Sequence, residues 1–168
     1  MTTHSIQEKI KYLWQAKKLH GVHSPFVYAF SENILYANNK PTATIKLPEG
    51  LFSKKYAQLP ALIKDHYQHN DLLLLSSNTP EQIGTFNLII ITESNPGNWV
   101  QLFNQFYTHI DDNAALIIPS IHLSKRHSAK WKRLYTHPKV LMSIDVFGAG
   151  IIFFRKEFKE KQHFILKY

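Results

Sequence analysis

Cysteine is absent from the chain. That excludes disulfides and thiolate metal sites and fits a reducing compartment. Long apolar runs are missing as well. Runs such as LLLL at 72–75 and LIII at 88–91 are far too short to span a bilayer. The opening residues MTTHSIQEKI hold no apolar signal core. A soluble cytoplasmic protein with no membrane association is the expectation. Charge of one sign is missing from two stretches. Residues 85–124 contain Glu93, Asp111 and Asp112 but no Lys or Arg, whereas residues 125–139 contain six bases and no acid.

What is present describes one globular domain. In 168 residues, 44% are hydrophobic and 19% charged, which suits one sizeable core. The expected organisation is a helical N-terminal subunit, residues 1–37, followed by an α/β core over 53–168. Ser5 with Glu8 reads as a capping box. Ile6, Ile10 and Leu13 then form the inward stripe of a first helix that stops at Gly21. Ser24-Pro25 starts a second helix with Phe26, Phe30 and Ile34 on one face. A third is expected over 53–68, burying Tyr56, Leu59 and Ile63, with a kink or a late start at Pro60.

From residue 71 the pattern turns to strands: 71–75, 87–91, 115–118, 140–147 and 151–155, with an edge strand at 163–167. Helices are expected over 99–110 and from a Ser124 cap. At most one helical turn, beginning at Thr79-Pro80, fits between the first two strands. Gly148-Ala149-Gly150 reads as a hairpin turn. Strands alternating with helices argue for a mostly parallel sheet covered on both faces, ending in an antiparallel hairpin.

Candidate functional residues follow from this layout. Glu93, Ser94 and Asn95 lie past the C-terminal end of a central strand, where ligands bind in open α/β sheets, and His122 lies past the next. Glu93 with His122 is the expected acid–base pair. Arg126, Lys130 and Arg133, spaced i, i+4, i+7, form a candidate patch for nucleic acid or another anion. His20 with His23 has no paired carboxylate nearby, and His66 with His69 lies at i, i+3 near a helix end, so capping, backbone hydrogen bonds and the helix dipole are expected of them rather than metal. Trp14, Trp99 and Trp131 are expected to anchor the core or an interface.

Several segments together resemble class I S-adenosylmethionine (SAM)-dependent methyltransferase-like proteins. HGVHSPFVYAFSENIL (20–35) looks like that group's N-terminal signature and KKYAQLPALI (54–63) like the helix before its cofactor strand. NLIIITESN (87–95) resembles its fourth strand. Residues 113–157 resemble its C-terminal third, and HFILKY (163–168) its ending. The resemblance implies a reduced Rossmann-like sheet. It also marks what has changed. The group's E-x-G-x-x-x-G turn after the first strand is replaced by SSNTPEQIG, leaving Ser76, Ser77 and Asn78 as the cofactor-binding candidates. The segment carrying a ribose-holding acid has no counterpart. D-G-N-H after the fourth strand reads Thr92-Glu93-Ser94-Asn95, and D-D-I-H after the fifth reads Pro119-Ser120-Ile121-His122. By position, strand 71–75 is the family's first; by its text, the third.

The expected function is therefore that of a methyltransferase-like pseudoenzyme with no cofactor and no metal. It would act through a homodimer or a protein partner docked on the side of the sheet that lost its strands. The alternatives are an active SAM-dependent methyltransferase with an atypical cofactor site, and a basic nucleic-acid-binding module.

Overall fold

In a computed structural model, residues 3–18, 21, 23–80 and 84–168 are described. The leucine- and isoleucine-rich segments form six strands: β1 (Leu72–Leu75), β2 (Phe86–Ile91), β3 (Ile110–Pro119), β4 (Met142–Asp145), β5 (Ala149–Phe153) and β6 (Gln162–Ile165). They make one mixed sheet in the order β1-β2-β3-β5-β4-β6. β1, β2 and β3 pair in parallel, with Leu72 opposite Leu88 and Leu88 opposite Ala115. β5 runs antiparallel to both β3 and β4, and β6 is parallel to β4. β5 is thus the one reversed strand of the sheet.

Side chains alternate across the pleat, so each strand feeds two cores. Leu88, Ile90, Ile117, Ile144 and Ile151 pack with Val27 and Phe30 of α2 (Pro25–Phe30) and with Leu59 and Ile63 of α3 (Leu59–Tyr67). Ile89, Ile91, Leu116 and Ile152 pack with Trp99 and Phe103 of α4 (Trp99–Phe106) and with Trp131 and Leu134 of α5 (Lys125–Tyr135). Every residue of β4 and β5 is buried, as expected of strands covered on both faces.

Local chemistry sets most boundaries. The Ser24 hydroxyl accepts from Val27 N–H at the start of α2, and Pro25 occupies the first turn. The helix widens into a π-turn over Ser31–Leu35, where Tyr36 N–H reaches the Ser31 carbonyl. Pro60 produces the late start: α3 begins at Leu59 and ends with Gln68 in the left-handed region (φ 55°). α4 stops at Phe106, four residues early, because a 3-10 turn at Tyr107–His109 leads straight into β3. The acidic pair Asp111 and Asp112 lies within that strand, at its N-terminal end, rather than at a helix end. The turn expected from Thr79-Pro80 runs into residues 81–83, outside those described.

Two expectations are overturned. The first helix, α1 (Thr3–Gln15), starts before Ser5, and Ser5 is buried within it. Its stripe Ile6, Ile10 and Leu13 faces solvent, while Ser5 and Tyr12 face the protein. The Tyr12 hydroxyl donates to the Leu166 carbonyl and accepts from Tyr168 N–H, and these bonds fix which face turns inward. In the hairpin, the turn is made by Val146, Phe147 (φ 67°) and Gly148, while Ala149 and Gly150 already belong to β5. The glycines serve close approach. A Cβ at Gly148 would lie 2.1 Å from the Tyr56 ring, and one at Gly150 would lie 2.7 Å from the Trp131 ring.

Candidate functional site

β1, β2, β3 and β4 all point their C-terminal ends to the same rim of the sheet. The candidate residues gather there in two separate networks.

The first lies over β1 and β2. Glu93 is the hub: its Oε2 accepts from Ser77 N–H at 3.1 Å and from the Ser77 hydroxyl. Its Oε1 accepts from Asn95 N–H at 2.9 Å. These bonds, the Ser77 hydroxyl's first, hold the carboxyl below its ordinary pKa. Asn98 donates to Ser77 Oγ at 2.9 Å, and the Trp99 indole N–H donates to the Glu93 carbonyl. Ser76 N–H is bound by Thr79 Oγ1 at 2.8 Å, and Asn78 N–H points to Ser76 Oγ. Ser77 is thus bonded to Glu93, and Ser76 to Asn78.

The second network lies over β3 and β4. Asp145 is buried at the end of β4. Its Oδ2 accepts from His122 Nε2 at 2.7 Å and from the Trp131 indole N–H at 3.1 Å, and its Oδ1 from Phe147 N–H at 2.8 Å. A carboxylate only accepts, so a proton of His122 sits on Nε2. In the neutral ring, Nδ1 is then the acceptor for the Ser128 hydroxyl at 2.9 Å. Ser128 Oγ in turn lies 3.2 Å from His4 Nε2 on α1. Glu8 Oε2 stands 3.9 Å from His122 Nδ1, and the Phe147 ring stacks on the imidazole. A cavity of about 660 Å³ opens beside this group, lined among others by Glu8, His122, Ser128, Trp131 and Tyr135.

The expected Glu93–His122 pair does not form. Each residue has local partners: Ser77 and Asn95 for Glu93, Asp145 and Ser128 for His122. The true partner of His122 was legible in one respect, since Asp145 is the only acid in the apolar segment 140–147, and a lone acid there must be paired. Ser128, His4 and Glu8 gave no such signal, because no local pattern brings α1 to the rim.

Chemically, a hydroxyl beside an imidazole whose other nitrogen is fixed by a buried acid is an arrangement able to pass a proton. The ring is turned over relative to serine proteases, where Nε2 faces the hydroxyl.

The basic patch lies on α5. Arg126 and Arg133 are exposed and Lys130 is half-buried. Arg126 leans over the turn after β2, because a Cβ on Gly97 would meet its guanidinium at 2.5 Å. His20 lies outside the described residues. His69 is buried, with Nε2 3.1 Å from the Asn113 carbonyl and Nδ1 unpartnered. Among the described residues no cluster of three or more histidines and carboxylates is placed to hold a metal ion, and no helix is long and apolar enough to cross a membrane.

Comparison with family models, curated proteins and solved structures gives no match to the chain.

Proposed function

We propose that this chain is a methyltransferase-like α/β domain that has given up cofactor chemistry and works by binding another polypeptide at the β1 side of its sheet. The observation that carries the reading is the state of that side. The rim groups where a cofactor would be met satisfy one another through Glu93 and Ser77. A ligand there would have to break several charge-assisted bonds before making its own. Beyond that rim, β1 has β2 as its only strand partner among the described residues. A leucine-rich edge strand offers a row of backbone groups for pairing.

The sheet order supports the resemblance. β1 lies beside β2, the strand that resembles the family's fourth, and in Rossmann order the first strand neighbours the fourth. This favours the first-strand position for residues 71–75, with the second and third strands missing beyond it. The single reversed strand near the other end, β5, fits the methyltransferase variant of the sheet.

A second reading, an active SAM-dependent methyltransferase with an atypical cofactor site, draws on the His122 relay and its cavity. In that reading His122 takes a proton from the acceptor substrate while Asp145 holds the resulting imidazolium. Calorimetric titration with SAM and S-adenosylhomocysteine separates the two. The first reading expects no heat at millimolar ligand from folded protein. Micromolar binding would overturn it, and loss of methyl transfer in His122→Ala would then establish the second.

A further inference from the structure

We propose that α1 forms a two-helix seam with α1 of a second copy of the chain. This goes beyond the β1-side reading, and neither surface needs the other. The starting observation is the inverted placement of α1. Its apolar residues Ile6, Ile10, Leu13 and Trp14 are 49%, 54%, 50% and 86% exposed. Its inner face is held by polar contacts instead: Tyr12 to Leu166 and Tyr168, His4 to Ser128, and Glu8 beside His122. Rolling the helix to hide the stripe would break these bonds. The stripe therefore stays outward and needs a cover from outside the chain.

Spacing and area point to the cover. Ile6, Ile10 and Leu13 repeat at four and three residues, the seam spacing of paired helices, with Trp14 alongside. An exposed tryptophan and three half-exposed aliphatic side chains present on the order of 500 Å² of apolar surface, the size of a functional patch on a monomer. Complete burial of two such stripes would remove on the order of 1,000 Å² from water, the lower bound for a specific interface.

Charge makes the occupant testable. Lys11 is already paired with Glu8 at 2.9 Å, and Gln7 and Gln15 are neutral. That leaves Lys9 as the one α1 cation without an ion pair among the described residues. The face thus carries no row of charge to recruit an acidic partner. Each copy has a formal net charge of +8, so general repulsion opposes pairing until salt screens it, within about 8 Å at physiological ionic strength. Self-association should therefore tighten as salt rises, whereas docking on an acidic protein or an anionic surface would loosen.

The test is analytical ultracentrifugation of the full chain over a range of protein and salt concentrations. The comparison set is wild type, an Ile10→Glu/Leu13→Glu variant, and Leu74→Lys on the β1 edge, each checked for folding by circular dichroism. We expect a wild-type dimer that tightens with salt. Ile10→Glu/Leu13→Glu should raise its dissociation constant by about 30-fold or more, and Leu74→Lys should leave it unchanged. Trp14 emission, isolated by difference from Trp14→Phe, should be blue-shifted in the wild type and red-shifted in the double variant. A monomer at every concentration overturns the proposal, as does a dimer that weakens with salt or survives Ile10→Glu/Leu13→Glu. A dimer dissolved by Leu74→Lys alone also overturns it, and leaves the β1-side reading standing.

Discussion

Replacing Gly148 with alanine probes how tightly the hairpin is fitted into the core. An added Cβ would sit 2.1, 2.4 and 2.5 Å from three atoms of the Tyr56 ring, inside any permissible contact. Tyr56 is buried and packs among Leu59, Ile144 and Val146, so the ring cannot swing aside without displacing its neighbours. Gly148 cannot retreat either, since its carbonyl accepts from Ser120 N–H at 2.8 Å and its N–H donates to Val146 at 2.9 Å. Overpacking a well-filled core costs about 1–3 kcal/mol, and a rigid ring on a pinned backbone argues for the upper end, about 3 kcal/mol. For a chain of this length that is a fall in Tm of about 6–12 °C. Urea and thermal unfolding followed by circular dichroism would measure it. Gly50→Ala is the control: Gly50 has φ +74° with nothing within 4 Å of the added carbon, so it pays only backbone strain of about 1–2 kcal/mol. Tyr56→Leu in the Gly148→Ala background should recover part of the loss, as expected for residues in contact. A Gly148→Ala protein no less stable than Gly50→Ala would refute the steric argument.

Two further outcomes follow from the buried groups. Asp145→Ala strands the donors His122 Nε2, Trp131 Nε1 and Phe147 N–H and should cost about 3–5 kcal/mol in denaturant unfolding. Asp145→Asn keeps one acceptor oxygen and should cost less; an Asp145→Ala protein as stable as the wild type would show that the acid does not hold these groups. Stability should also fall as the solution is acidified below neutrality. The pKa of His69 is lowered, first by burial and then by Arg155, against the pull of the Asn113 carbonyl. Its folded value therefore lies below the unfolded one of about 6.5. The unfolded chain binds more protons in the window between, so this contribution is complete above about pH 6.5 and is lost on descending through that window. His163, lowered mainly by burial, acts in the same direction. Denaturation midpoints measured across this range should flatten partially in His69→Gln, and an unchanged slope would contradict the assignment.

The sheet was legible because its signals are local. Runs such as LLLL and NLIII, separated by polar turns, leave no other use for themselves, and the order of strands and helices fixed the parallel core. Pro60 marked a helix start because its missing N–H is harmless only in a first turn. Orientation was not legible. Periodicity tells which residues of α1 share a face, not which face turns inward, and one tyrosine hydroxyl bonded at Leu166 outweighed three aliphatic side chains. The glycines of the hairpin misled for a related reason. They are read as turn residues from their neighbours in sequence, whereas their use is set by Tyr56 and Trp131, far away in the chain. The site suffered most. Glu93 and His122 belong to equivalent strand ends, but the bonds they make depend on Ser77, Ser128 and Asp145, which come together only in three dimensions.

The bonds at Asp145 have an evolutionary consequence. One carboxylate ties together a loop histidine, a helix tryptophan and the backbone of the hairpin. A lineage that abandoned any reaction here would still retain the acid, the imidazole and the indole, because folding alone selects for them. Persistence of this trio across descendants would therefore record selection on assembly and say nothing of catalysis. Ser128, whose hydroxyl meets two imidazoles at the cavity, carries no such burden and would drift first once its chemistry ceased to matter.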